Sequence, residues 1–118
     1  MRNEMMYRPV VDKEVVEFLR NEQKPLEGRL GEIERQANKE GVPIIPHETV
    51  VFLNLLLGQI KPKQILEIGA AIGFSSSLMA RHVGDDGHVT TIDRFDVMIK
   101  KARKNYEMLG LTDKVTLL

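Results

Sequence analysis

The sequence predicts an α/β protein in which a helical N-terminal part precedes a parallel sheet. Three observations support this class. The chain has 118 residues, 42% of them hydrophobic, which is enough for one small domain with a core. Its first half carries apolar residues at helical spacing. Its second half alternates short β-rich runs with helical segments, and such alternation indicates right-handed crossovers between parallel strands.

Residues 1–61 form the predicted helical part. Helices are expected at residues 11–21, 26–39 and 47–57, joined by an extended, proline-containing linker at residues 42–46. In the first helix, helical spacing relates Val11, Val15, Phe18 and Leu19. We expect Asp12 to cap the first helix, Gly41 to end the second, and Gly58 and Pro62 to close the third.

Residues 62–118 form the predicted sheet part. Strands are expected at residues 64–68, 88–92 and 114–118, and helices at residues 74–82 and 95–109. The first of these strands is an apolar run typical of a buried parallel strand. The inner face of the second helix is expected to carry Val97, Ile99, Ala102, Tyr106 and Leu109.

In the predicted sheet, the second and third strands lie on the same side of the first strand, and no strand lies on its other side. In a doubly wound sheet the first strand is central, and the second and third lie to one side of it. Residues 64–68 would then form an exposed edge, which natural folds avoid. We therefore expect either that the chain is the N-terminal part of a longer protein, truncated after the third strand, or that another chain covers the edge.

Composition excludes several classes of function. The 17 basic residues balance the 17 acidic residues, so no net field attracts the protein to DNA or to an anionic membrane. Without cysteine, the chain can form neither disulfides nor thiolate metal sites. The N-terminus lacks the pattern of a signal peptide, and the apolar stretch at residues 50–57 is too short to cross a bilayer. We expect a cytoplasmic protein.

A glycine turn follows the first predicted strand. Gly69 allows a sharp turn, Gly73 allows close approach of the backbone, and the small Ala70 and Ala71 leave room between them. The N-terminus of the following helix would favour a carboxylate or a phosphate. The G-x-x-x-G spacing differs from the G-x-G-x-x-G fingerprint of dinucleotide-binding proteins. The turn is therefore a candidate ligand site, with a purely structural turn as the alternative.

Acidic residues stand at the ends of the first two predicted strands. Asp93 could accept hydrogen bonds from both hydroxyls of a ribose, or cap the helix that begins near Phe95. Glu67 ends an apolar strand and therefore needs a partner, such as the ammonium group of a methionine moiety. Ser75 and Ser76 could cap their helix or bind the carboxylate of that moiety. Together these residues favour a nucleoside-type cofactor.

Three segments resemble motifs of the cation-dependent O-methyltransferases. Residues 65–75 (ILEIGAAIGFS) resemble the first motif, and residues 89–93 (VTTID) resemble the second, although many members carry Glu where Asp93 stands. Residues 44–49 (IIPHET) are similar to the segment that closes over the cofactor in the family. The family includes catechol and caffeoyl-CoA O-methyltransferases. It also includes the small bacterial enzymes that methylate 5-hydroxyuridine in tRNA, whose helical N-terminal part this chain resembles.

The resemblance implies the first half of a Rossmann-like fold that binds S-adenosylmethionine. It implies that Glu67 and Gly69 line the methionine moiety, that Ser75 meets its carboxylate and that Asp93 holds the ribose. The cofactor-binding set implied as a whole is Ile45, Glu48, Glu67, Gly69, Ala70, Gly73, Ser75, Asp93 and Arg94. For Ile45 and Glu48 the contact would be through the backbone.

The family's catalytic and metal-binding residues have no counterpart in this sequence. In the family, two Asp, one Asn and a nearby Lys lie in the second half of the domain, and we expect them beyond residue 118. A divalent cation, Mg²⁺, is therefore expected only for a full-length enzyme, and this chain alone is expected to be inactive. His47, His82 and His88 are expected to be solvated polar residues rather than metal ligands.

The substrate implied by the resemblance is a tRNA 5-hydroxyuridine or a small catechol-like hydroxyl compound, and a homodimer is expected. A basic run could contact tRNA phosphates or simply form a solvated helix face: Arg94, Lys100, Lys101, Arg103 and Lys104. Two other functions remain open. One is a non-catalytic module whose helices at residues 11–57 pair with a second copy or another chain. The other, disfavoured by the glycine spacing, is a nicotinamide-dependent oxidoreductase.

Overall fold

A computed structural model describes residues 12–118, which form five helices and three strands within that range. In chain order these are α1 Lys13–Glu22, α2 Gly28–Glu40, α3 His47–Ile60, β1 Gln64–Ile68, α4 Phe74–Ala80, β2 His88–Ile92, α5 Asp96–Leu109 and β3 Val115–Leu117. The predicted α/β class is confirmed. Within the described range, no helix is both long and apolar enough to cross a membrane.

The three strands form one parallel sheet in the order β1-β2-β3, as predicted. The register places Ile65 opposite Val89 and Glu67 opposite Thr91. Helices α4 and α5 pack against the sheet, and β2 contributes the fully buried Val89 and Thr91 to the face that they cover. The carboxyl ends of β1 and β2 therefore lie side by side, about 4.8 Å apart as in any sheet.

The other face of the sheet is open in the described part of the chain. Leu66 and Ile68 of β1 are 68% and 75% exposed, and Ile92 of β2 is also exposed. The prediction that β1 is a buried strand is therefore wrong for one of its two faces. Alternate residues point to opposite faces of a strand, and the helices in contact with the sheet cover one face only.

Two hydrophobic clusters form the core. One joins α5 to the sheet through Val89, Ala102, Tyr106, Val115 and Leu117, among others. The second joins α2, the segment before α3, α3 itself and α4 through Leu30, Ile44, Val50, Phe74 and Leu78, among others. The glycine turn between β1 and α4 is anchored in both clusters, because Ala70 belongs to the first and Ile72 to the second.

Several predicted details of the helices differ from the structure. Helix α3 continues through Gly58 and ends at Ile60; the next residue, Lys61, has a left-handed φ of 50° and precedes Pro62. Val97 is 66% exposed because it lies five residues before Ala102, about 140° around the helix from the buried face. In α1, Val16 is buried, while Val15 and Phe18 are exposed.

The ends of the other helices agree more closely with the prediction. Asp12 caps α1 as predicted, because its carboxylate accepts from the Glu14 amide at 2.8 Å. Gly41 adopts a left-handed conformation with φ 69° and ends α2 as predicted. The predicted contribution of Val11 to the first helix lies outside the described residues.

A bidentate ion pair ties α1 to α3. The Arg20 guanidinium donates from Nε and Nη2 to the two carboxylate oxygens of Glu48, at 2.9 and 2.8 Å. The hydrogen bond from Arg20 is the largest of the effects that hold the pKa of Glu48 below its ordinary value, although partial burial opposes it. The pair fixes the start of α3, which directly follows the linker at residues 42–46.

We expect Glu48→Gln to lower the free energy of unfolding by about 1 kcal/mol at pH 7. The depressed pKa gives the sign of the pH dependence: the contribution of Glu48 is present above the unfolded-state pKa of about 4.3 and is lost as the pH falls through the folded-state pKa. Urea unfolding at pH 7 and pH 3 measures this. Wild type and Glu48→Gln should differ less at pH 3.

Glu17→Gln is the matched control for this substitution. The Glu17 carboxylate pairs with Lys13 at 3.7 Å on an exposed face of α1. An exposed pair of this kind contributes little, so the control should unfold like wild type at both pH values. An equal loss in the two variants would contradict a special role for the Arg20–Glu48 pair.

Candidate functional site

The turn after β1 is held mainly by its own hydrogen bonds and by those to β2. The amides of Gly69 and Ala70 donate to the Ile92 carbonyl oxygen at 2.8 and 3.1 Å, and the Gly73 amide donates to the Ala70 carbonyl oxygen at 2.8 Å. Ala71 has a left-handed φ of 45°, and its amide donates to the Asp93 carboxylate at 2.8 Å. Four of the turn's amides are thus occupied within the protein. This differs from a phosphate cradle, in which the amides donate to the ligand.

The two glycines of the turn differ in their surroundings. At Gly69, with φ 98°, an added Cβ would meet no atom within 4 Å, so the backbone there borders open space. At Gly73, with φ 78°, an added Cβ would lie 2.6 Å from a ring carbon of Tyr106. Gly69 therefore leaves room for a ligand, whereas Gly73 leaves room for the protein's own α5.

Helix α5 supports the turn through two neighbouring residues that the sequence analysis did not assign to it. The Asn105 side-chain amide donates to the Ile72 carbonyl oxygen at 2.8 Å. The Tyr106 hydroxyl lies 2.6 Å from the hydroxyl of Ser76, and both residues are buried. Burial raises the pKa of Tyr106, so the hydroxyl stays protonated. Tyr106 was predicted only as a residue of the inner helix face.

Asp93 connects the ends of β1 and β2. One carboxylate oxygen accepts from the Ala71 amide, and the other accepts from the amides of Arg94 and Phe95 at 2.7 and 2.9 Å. Burial opposes ionisation, but these three hydrogen bonds outweigh it and hold the pKa of Asp93 below its usual range. The alternative role as a helix cap is realised only in part, because α5 begins at Asp96, after these amides.

Glu67 has two hydroxyl partners. Ser75 Oγ donates to its Oε2 atom and Thr91 Oγ1 donates to its Oε1 atom, both at 2.6 Å. The expectation that this carboxylate needs a partner is confirmed, although the partners are neutral. Thr91 was missed, because a threonine in a β-rich run is the ordinary choice for a strand. The side chain of Ser75 is engaged with Glu67 in this structure.

The structure brings together four of the predicted cofactor-binding residues at the strand ends: Glu67, Gly69, Ser75 and Asp93. Ala70 is 1% exposed and belongs to the core. Ile45 is half-buried against the second hydrophobic cluster. Arg94 is exposed, with its guanidinium 4.8 Å from the centre of the Phe95 ring. Glu48, another residue of the predicted set, has its carboxylate bound to Arg20. None of these contacts tests a cofactor role, so the assignment of all nine residues stays a prediction.

The three histidines are dispersed, and each has a polar partner. His47 Nδ1 lies 2.7 Å from Glu34 Oε1, and its Nε2 lies 2.9 Å from the Lys24 carbonyl oxygen. His82 Nε2 lies 2.8 Å from Asn54 Oδ1. His88 lies 2.7 Å from Thr116 on the open face of the sheet. All three histidines are partly exposed, which agrees with the prediction of solvated side chains, but their bonds to other parts of the chain were not predicted. Across residues 12–118, no three His, Asp or Glu side chains converge as metal ligands.

A groove of about 480 Å³ lies between α2 and α5, away from the strand ends. It contains none of the predicted cofactor-binding residues, and Lys101 and Lys104 stand on its rim opposite Glu32 and Glu40. Volume alone does not make it the site, because its charges are mixed and exposed. All five residues of the basic run are exposed, as both of its predicted roles require, so the choice between a tRNA contact and a solvated helix face stays open.

Comparison with known proteins identifies O-methyltransferases as relatives of this chain. A family model described as O-methyltransferase matches residues 22–118. The solved structure of the O-methyltransferase from Bacillus cereus in complex with SAH superposes with a TM-score of 0.74 and 26% identity. The match covers 89% of this chain and 49% of that one.

Two curated relatives match shorter stretches. The catechol O-methyltransferase of Mycobacterium tuberculosis is 39% identical over 64 residues, which is 54% of this chain and 29% of that protein. A protein-L-isoaspartate O-methyltransferase from Methanothermobacter thermautotrophicus is 30% identical over 74 residues, which is 62% of this chain and 33% of that protein. The chain thus spans about a third of the length of the curated relatives it matches.

We expect Gly73→Ala to lower the free energy of unfolding by about 2–4 kcal/mol. About 1 kcal/mol of this reflects a left-handed φ at a residue with a Cβ. The remainder reflects the clash with the Tyr106 ring, since overpacking typically costs about 1–3 kcal/mol. Urea denaturation followed by circular dichroism measures the loss.

Gly110→Ala is the matched control for this prediction. Gly110 has φ 68°, and an added Cβ there would meet no atom within 4 Å. This variant should therefore show only the backbone part of the loss. Equal losses in the two variants would mean that the Tyr106 ring moves aside at no cost.

Proposed function

The chain belongs to the O-methyltransferase family, and on that premise we propose that it binds S-adenosylmethionine at the ends of β1 and β2 for methyl transfer to a substrate hydroxyl. One observation carries the proposal. Glu67 and Asp93 are two carboxylates held in place by protein hydrogen bonds on neighbouring strand ends, and open space borders Gly69 beside them. Ligands of open α/β sheets bind at such strand ends.

The residues present fit the two ends of this cofactor. Each carboxylate oxygen of Glu67 accepts one hydroxyl and retains acceptor capacity, which suits a cationic ammonium group. Asp93 retains acceptor capacity on the oxygen that binds Ala71, which suits a ribose hydroxyl. Four of the turn's amides are occupied within the protein, so the turn offers fewer amide donors than the cradle of a pyrophosphate. This supports S-adenosylmethionine over a dinucleotide.

S-adenosylmethionine would supply an electrophilic methyl group on a sulfonium sulfur. In a transfer to oxygen, a C–O bond forms, the C–S bond breaks, and the hydroxyl proton leaves to a base. The contribution of this chain to such a reaction is binding and alignment, which lower the barrier by fixing the geometry of attack. None of the described residues is assigned as the base.

The acceptor that we propose is a tRNA 5-hydroxyuridine or a small catechol-like hydroxyl compound. The likeness to the Mycobacterium tuberculosis catechol O-methyltransferase supports a hydroxyl acceptor. For a full-length enzyme the same proposal includes a Mg²⁺ ion, which would be held by residues outside the described part of the chain and would lower the pKa of the acceptor hydroxyl. We propose a cytoplasmic location on the basis of the composition.

Isothermal titration with S-adenosylhomocysteine tests the proposed function. We expect binding to the wild-type protein and at least tenfold weaker binding to Asp93→Ala, a loss of about 1.4 kcal/mol or more. The reason is that Asp93 would meet the ribose and also holds the Ala71 amide. Absence of binding to a folded wild-type protein would overturn the proposal.

Asp96→Ala is the control for the Asp93 variant. Asp96 is exposed in the first turn of α5 and carries the same charge three residues further on. Its removal should leave the affinity within about twofold, since exposed charges near a site act weakly in salt. Equal losses in both variants would point to a general charge effect and would remove Asp93 from the site.

A second candidate function is an interaction module in which the helical part pairs with a second copy of the chain. The observation in its favour is a set of exposed apolar side chains on α1 and α3: Val15, Phe18, Phe52, Leu55 and Ile60. These lie on two helices that contact each other. Exposed apolar groups of this kind are common at interfaces between subunits.

Sedimentation velocity tests the second candidate. We expect a concentration-dependent dimer, because pairing would remove these apolar side chains from water. Phe52→Asp should shift the equilibrium to monomer, while Val97→Asp, an equally exposed apolar position on α5, should leave it unchanged. A stable monomer at the highest soluble concentration would count against the module.

A further inference from the structure

We infer that Thr91 is a positioning residue for the cofactor's methionine end, because its buried hydroxyl fixes the carboxylate of Glu67. The inference rests on the proposed function, in which Glu67 faces the methionine ammonium group. It assigns a role to a residue of β2 that lies on the face of the sheet covered by the helices.

The register of the sheet places Thr91 where this role requires it. Thr91 is the residue of β2 directly opposite Glu67 of β1. Its Oγ1 atom donates to Glu67 Oε1 at 2.6 Å, while Ser75 Oγ donates to Oε2 at the same distance. One donor comes from the neighbouring strand and the other from α4, so the carboxylate is held from two directions.

The hydroxyl of Thr91 is explained by Glu67 and not by packing. Thr91 is 0% exposed, and the other buried residues of β2 and β3 are aliphatic: Val89, Val115 and Leu117. A valine would fill the same volume, and a buried hydroxyl without a partner is costly. The bond to Glu67 is the hydrogen bond that satisfies this hydroxyl.

Two donors are needed because glutamate is a flexible side chain. Holding a free Glu side chain in one rotamer costs conformational entropy. Because a hydroxyl donates to each carboxylate oxygen of Glu67, the side chain is already ordered in the folded protein. Ligand binding then does not have to order it. Loss of Thr91 would release one oxygen, and the ligand would then have to order the carboxylate itself.

The test compares two ligands that differ at the methionine end. S-adenosylhomocysteine carries the amino-acid group, and 5′-methylthioadenosine has the same adenosine and a thioether but lacks that group. Thr91→Val replaces only the hydroxyl by a methyl group. We expect it to weaken the binding of S-adenosylhomocysteine about tenfold and to leave that of 5′-methylthioadenosine within about twofold, as measured by isothermal titration.

Two further variants serve as controls. Thr90→Val makes the same chemical change one residue earlier, on the opposite face of β2, and should leave both affinities unchanged. Thr91→Ser restores a hydroxyl and should recover most of the affinity for S-adenosylhomocysteine. Thermal unfolding of each variant shows whether it is folded at the titration temperature.

Each outcome decides the inference. Normal binding of S-adenosylhomocysteine by Thr91→Val, or an equal loss of both ligands, overturns it and leaves the proposed function standing. If Thr91→Val does not fold, Thr91→Ala replaces it: selective loss of S-adenosylhomocysteine in Thr91→Ala with normal binding by Thr91→Ser supports the inference, and an equal loss of both ligands in Thr91→Ala overturns it. Absence of S-adenosylhomocysteine binding to the wild-type protein overturns the proposed function and this inference together.

Discussion

The hydrogen bond from the Ala71 amide to the Asp93 carboxylate is the interaction on which the candidate site depends. It joins the chain leaving β1 to the chain leaving β2. Ala71 adopts a left-handed φ of 45°, which is unfavourable for a residue with a Cβ by about 1–2 kcal/mol. A backbone conformation of this kind persists where surrounding contacts determine it. Asp93, whose second oxygen is held by two further amides, supplies that contact.

Helix α5 and the two hydrophobic clusters support this junction. Helix α5 contacts the turn through the Asn105 amide and the Tyr106 ring, and the same helix packs on β3. The turn is also part of both hydrophobic clusters, through Ala70 and Ile72. The site is therefore built on rigid elements and not on a free loop, as a site that must align a methyl donor requires.

The sequence was informative wherever local chemistry decides the structure. The bounds of β1 and β2 agree with the prediction because glycine and aspartate follow the strands, and these residue types mark strand ends. Gly58 was misleading, since a single glycine does not have to end a helix, and α3 continues to Ile60, just before Lys61 and Pro62. The exposure of Val97 and the partners of the three histidines were missed because they depend on which elements pack together. The role of Thr91 depends on register, which sequence periodicity alone does not define.

The close approach of Tyr106 to Gly73 also constrains how this protein can change over evolutionary time. The ring occupies the volume that any side chain at position 73 would need, and its hydroxyl is committed to Ser76. A lineage that replaces the glycine must therefore first accept a smaller residue on α5, which leaves Ser76 without its partner. Positions 73, 76 and 106 should consequently be inherited as a set, even though they lie in separate parts of the sequence.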